Sequence, residues 1–130
     1  MALDWGTRRI GIAVSDELGI SRNGLPTLDR TNIRSDLDFL EGLIRERQIT
    51  RVVVGRPLNM DGSVGKSANL AHRFGRRLAK HATVEVVMWD ERLTSWEAES
   101  QFKSSSRTPG LIDQAAAILL LESYLDARNS

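Results

Sequence analysis

The most constraining feature of the sequence is a short apolar run with no alternation, Arg51-Val52-Val53-Val54-Gly55. A half-exposed strand alternates apolar and polar residues, because successive side chains point to opposite faces. A continuous β-branched run is expected where both faces are covered, as in a parallel sheet with helices above and below. The rest of the chain fits that frame. Residues 1–5 and the run Ile10-Gly11-Ile12-Ala13-Val14 predict two strands joined through a tight Gly6-Thr7-Arg8 turn. Residues 24–28 predict a third strand, at an edge because it contains Pro26.

Ile33, Leu37, Leu40, Leu43 and Ile44 recur at helical spacing and predict a helix over 33–48. A Gly- and Asn-rich loop over 56–65, a helix over 66–80 and a strand over 84–89 follow. Thr94-Ser95-Trp96-Glu97 has the form of a capping box and predicts a helix to about residue 102. The serine-rich stretch 103–109 reads as a loop, and 110–128 as a final, nearly all-apolar helix packed on the sheet. The expected architecture is a single α/β domain over 1–130. Its mixed five-stranded sheet has three antiparallel strands, then two parallel ones, and is flanked by helices.

The chain has no cysteine, so disulfides and thiolate metal sites are excluded. No apolar run approaches the roughly 18 residues of a membrane span, and no secretory signal is evident, which predicts a cytoplasmic protein. With 18 basic and 17 acidic residues, net charge argues neither for nor against nucleic acid. What matters is where the charges fall.

Three acids stand in apolar surroundings. Asp4 ends the first strand, Glu91 follows the fifth, and Asp113 is the lone acid in the first turns of the last helix. Buried carboxylates need a cation or strong donors, and several close together repel unless a divalent ion joins them. Such a trio suits Mg²⁺ or Mn²⁺, and two ions about 3.5–4 Å apart can activate water and stabilise the leaving oxygen in phosphodiester cleavage. Each acid also has a plainer reading: Asp4 and Asp90 as turn residues, Asp113 as a helix cap.

Lys66, Arg73, Arg77 and Lys80 fall on one helical face and could track a phosphate backbone, although a solvated face explains them equally. Arg8, Arg9 and Arg92 adjoin the acids and are candidates for phosphate contacts beside the metals. Trp5 and Trp96 could stack on bases, with core or rim packing as the alternative, and Trp89 reads as core. His72 and His81 are expected at the surface with no catalytic role.

Four segments resemble one family. Leu3-Asp4-Trp5-Gly6-Thr7-Arg8-Arg9-Ile10-Gly11-Ile12-Ala13-Val14-Ser15-Asp16 is similar to the opening motif of the YqgF (RuvX) family of Holliday junction resolvase-like proteins. Val54-Gly55-Arg56-Pro57-Leu58-Asn59-Met60-Asp61-Gly62-Ser63, Asp90-Glu91-Arg92-Leu93-Thr94-Ser95 and Asp113-Gln114-Ala115-Ala116-Ala117-Ile118-Leu119-Leu120 resemble its later motifs, in family order. The resemblance implies an RNase H-like fold and a bacterial cytoplasmic nuclease that processes the 5′ end of pre-16S rRNA. The family's acidic residues fall on Asp4, Glu91 and Asp113. Arg56 departs from the pattern, standing where the family commonly has an apolar residue, and only three residues precede Asp4.

The expected partners are therefore precursor rRNA or branched DNA and, by extension, a pre-ribosomal particle, with the protein a monomer or weak dimer and no membrane involved. The alternatives are a Holliday junction resolvase, which needs two sites making paired cuts, and a non-catalytic nucleic-acid-binding module. Asp4-Trp5-Gly6-Thr7 also resembles the first phosphate motif of the actin and sugar-kinase group, but those proteins enclose ATP between two such lobes. Gly65-Lys66-Ser67 lacks the glycine at position 60 that a P-loop requires, since Met60 stands there.

Overall fold

The computed structural model describes residues 1–16, 21–56, 65–90 and 109–128. In chain order these form β1 (Ala2–Trp5), β2 (Arg9–Ser15), β3 (Arg22–Asp29), α1 (Ile33–Glu46), β4 (Arg51–Arg56), α2 (Lys66–Ala82), β5 (Glu85–Asp90) and α3 (Pro109–Arg128). The strands make one sheet in the order β3-β2-β1-β4-β5. The β1–β2 and β2–β3 pairs are antiparallel, while β1–β4 and β4–β5 are parallel. This is the expected mixed sheet. The helix expected over 94–102 lies outside the described residues, as do residues 57–64 of the loop expected over 56–65 and 103–108 of that expected over 103–109.

The valine run explains the layering. Val52 and Val54 belong to a core shared with Leu37, Leu40 and Ile44 of α1 and Ala71, Phe74 and Leu78 of α2. Val53 faces the other way, into a second core with Ala117, Leu120, Leu121 and Tyr124 of α3. All three valines are at most 1% exposed, so the sheet is covered on both faces. The same alternation sorts β1, whose Met1, Leu3 and Trp5 side meets α1 and α2 while Ala2 meets α3.

Local chemistry sets the element ends. The Asn32 side chain caps α1 by accepting from the Ser35 amide at 2.9 Å. The helix stops at Glu46, two residues before the expected end, because Gln48 turns into the left-handed region at φ 53°. Helix α2 continues to Ala82 and closes on Thr83, also left-handed at φ 51°. β3 is longer than expected and lies at the edge, as Pro26 requires. Between Ile10↔Leu28 and Ile12↔Leu25 the register slips by one residue, placing an irregularity at Pro26 and Thr27. α3 starts at Pro109, one residue earlier than expected, consistent with proline's suitability for a first helical turn.

Candidate active site and nucleic-acid interface

β1 is the strand from which the site is built. Asp4 lies two residues after Ala2, so strand alternation points its side chain toward the α3 face of the sheet. Its cross-strand partner is Gly11. A β-carbon added at Gly11 would collide with the carbonyl group of Asp113, so the bare backbone of β2 is what allows the first turns of α3 to settle there. Asp4 and Asp113, 109 positions apart in sequence, thus both adjoin Gly11: one as its cross-strand partner, the other with its backbone packed over it.

Three side-chain hydrogen bonds clamp this end of α3 to the hairpin. Arg9 Nε donates to Asp113 Oδ2 at 2.6 Å, Gln114 Nε2 donates to the Leu25 carbonyl at 2.7 Å, and Thr27 Oγ1 donates to the Gly110 carbonyl at 2.5 Å. Arg9 alternates with the buried Ile10 and so shares the face of Gly11. The Arg9 and Asp113 side chains are 37% and 21% exposed, so the pair is open to water and to a ligand. Asp113 is the fifth residue of α3, too far in to be its cap, which removes the plainer reading of that acid.

Glu91, the third expected carboxylate, and Arg92 follow β5 and lie outside the described residues. Among the described residues no three acidic or histidine side chains stand together as a metal cluster. The two acids that are described offer only hard carboxylate oxygens, the donor type that Mg²⁺ and Mn²⁺ prefer. Asp113 Oδ2 is engaged by Arg9, so an ion there would have to share or displace the guanidinium. By donor chemistry, the carboxylates of Asp4 and Asp113 fit a hard divalent ion.

The basic residues divide between two places. Arg9 joins the carboxylates, and Arg8 is exposed in the β1–β2 turn, its carbonyl accepting from the Arg30 amide at 2.9 Å. Lys66, Arg73 and Arg77 are exposed along α2, which covers the opposite face of the sheet from α3. Arg73 and Arg77 nevertheless reach the same end of the molecule, lining a pocket with Trp5 and Thr7 at the end of β1. Of the nucleic-acid candidates, Arg8, Arg9, Arg73 and Arg77 consequently lie around the end of β1.

Trp5 is core, 9% exposed, and Trp89 packs edge-on against Tyr124 at 5.3 Å, its Nε1 donating to Ser123 Oγ at 3.1 Å. Trp96 lies outside the described residues. His81 Nε2 lies 2.8 Å from Asp38 Oδ1, a tie between α2 and α1. Sequence reading missed the Arg9–Asp113 pair. The sequence reading placed Arg9 beside the acids but did not pair it with Asp113; that Arg9 and Gly11 flank the inward-facing Ile10 is the trace of their shared face. It also missed Arg30, whose guanidinium sits 5.2 Å from the Trp5 ring centroid and 5.5 Å from that of Phe74.

The family model described as "RuvX: Holliday junction resolvase" matches residues 1–127. A protein of Synechococcus elongatus is 43% identical over 130 residues, covering 97% of this chain and 87% of its own length. One of Halalkalibacterium halodurans is 41% identical over 132 residues, covering 97% and 94% respectively. Both carry the name "Putative pre-16S rRNA nuclease". Among solved structures, Thermus thermophilus RuvC in complex with a Holliday junction substrate superposes with a TM-score of 0.63 at 13% identity, covering 98% of this chain and 94% of that one. At that identity the likeness carries the fold alone, an RNase H-like α/β domain. The four motifs, their order along the chain and the match over residues 1–127 lead to one conclusion: this chain belongs to the RuvX family.

Proposed function

We propose that the protein is a divalent-metal-dependent nuclease that hydrolyses phosphodiester bonds, with precursor 16S rRNA as its substrate and the bacterial cytoplasm as its place of action. The observation that carries this reading is that Asp4 and Asp113 both adjoin Gly11. The relatives' shared name supplies the substrate. No helix among the described residues is long and apolar enough to cross a membrane, in keeping with action on a soluble particle.

Asp4 and Asp113, with Glu91, would hold Mg²⁺ or Mn²⁺, as one ion or as a pair. A bound ion supplies a water of lowered pKa and charge stabilisation for the leaving oxygen. The chain's own residues do the rest. Asp4, fixed in a paired strand, orients its carboxylate from a rigid element. Arg9 offsets the charge of Asp113 and offers further guanidinium donors to a substrate phosphate. Arg8 and Arg92 extend that contact along the backbone. Lys66, Arg73 and Arg77 add affinity without reading sequence.

Junction resolution is the second reading, favoured by the family model's own description. It requires two sites cutting in concert and therefore a dimer, whereas rRNA trimming by a monomer or weak dimer does not. Cleavage of labelled precursor rRNA, single-stranded RNA and a four-way DNA junction, each with Mg²⁺, Mn²⁺ or chelator, separates the two. The expected result is metal-dependent cleavage of the precursor that Asp4→Asn reduces to background while circular dichroism is unchanged. Activity retained by Asp4→Asn, or in chelator, overturns the assignment.

A further inference from the structure

On the α1–α2 side of the sheet, at the end of β1, lies a pocket of about 450 Å³, well within the size range of small-ligand sites. Its construction is uneven in charge. Arg30 is engaged as structure: Nε donates to Asp36 Oδ2 at 3.1 Å and Nη1 to the Gly6 carbonyl at 3.1 Å, with the guanidinium against both the Trp5 and Phe74 rings. Asp36, 1% exposed, cancels its charge. That leaves Arg73 and Arg77, one helical turn apart on the pocket's lip, with no salt bridge among the described residues. Like charges at this spacing repel, and an anion seated between them removes the cost.

Two further features specify the anion. Thr7 offers a hydroxyl from the β1–β2 turn, and Ile33 and Leu70 supply an apolar wall. A pocket lined by two guanidinium groups, a hydroxyl and an apolar wall matches a phosphate attached to a partly apolar group.

We propose that this pocket is a non-catalytic site for a nucleoside phosphate, with Arg73 and Arg77 holding the phosphate. The ligand is either the phosphorylated end of a nucleic-acid strand or a free mononucleotide. The site uses neither Asp4 nor Asp113 and stands whether or not the metal assignment does.

The test is binding in chelator, where cleavage cannot interfere. Titrations use a short single-stranded RNA with a 5′-phosphate, the same RNA with a 5′-hydroxyl, a 3′-phosphorylated version, AMP, adenosine and inorganic phosphate. The readouts are affinity and the Trp5 indole N–H resonance. A phosphorylated ligand is expected to bind about tenfold tighter than its unphosphorylated counterpart and to shift that resonance. Arg73→Ala and Arg77→Ala each abolish the preference. Arg76→Ala removes the same charge from α2 at an exposed position off the pocket lining, and retains it. A preference for AMP over adenosine, with none between the RNAs, assigns the site to free nucleotide; a preference at one RNA end assigns it to the strand terminus. Equal affinities throughout, a preference that survives both pocket variants, or one lost equally in Arg76→Ala, overturns the proposal.

Discussion

Gly11 lies directly beneath the backbone of Asp113, with no room for a side chain between β2 and α3. The closeness that makes a shared site conceivable thus depends on an absent methyl group. Gly11→Ala must push α3 away from the sheet, and overpacking of this kind costs about 1–3 kcal/mol. A urea denaturation midpoint lowered accordingly, together with loss of cleavage, is the expected outcome. An unchanged midpoint would show that α3 does not pack as described.

Arg9 and a metal ion compete for the same Asp113 oxygen if the proposed function holds. Arg9→Ala should therefore tighten Mn²⁺ binding measured by calorimetry, while raising the KM for nucleic acid because a phosphate contact is gone. Stability should change by less than about 1 kcal/mol, since the pair is partly exposed and screened by solvent. Weaker Mn²⁺ binding would assign Arg9 to orienting the carboxylate instead.

Asp36 and Arg30 present the opposite case. The Asp36 side chain is 2% exposed, bonded to Arg30 Nε and to the Thr31 amide at 3.2 Å. Asp36→Ala leaves a largely buried guanidinium against two rings without its counter-charge, and about 3 kcal/mol of stability should be lost. Chemical denaturation checks this, and the same experiment on Asp36→Leu with Arg30→Met should show a smaller loss than Asp36→Ala.

Thr83 terminates α2 in the left-handed conformation that glycine adopts without strain. The residue is exposed, so its side chain contributes little packing. Thr83→Gly is expected to stabilise the protein by up to about 1 kcal/mol, read as a raised Tm. A lowered Tm would mean that the entropy glycine adds to the unfolded chain outweighs the relief of strain.

The basic stripe predicts a salt dependence. If Arg73 and Arg77 together neutralise one phosphate, replacing both with alanine should lower the slope of log K against log salt by about one unit. Fluorescence anisotropy between low and moderate salt gives that slope directly. An unchanged slope removes both residues from the interface.

Much of this molecule is fixed by local rules. The unbroken valine run forces a sheet covered on both faces, because side chains of successive strand residues must alternate. The same alternation assigns Asp4 to one face and Trp5 to the other, and Pro26 sends β3 to the edge. These outcomes need only period, propensity and steric limits, all of which a one-dimensional string carries. The 2.6 Å contact between Arg9 and Asp113 is different, since it joins residues 104 positions apart and exists only once α3 has docked over Gly11. The pocket at the end of β1 likewise exists only where β1, α1 and α2 meet, and Arg30 becomes structural because folding brings Asp36, Trp5 and Phe74 around it. Sequence spacing records which face a side chain takes; tertiary packing alone decides which distant group it meets there.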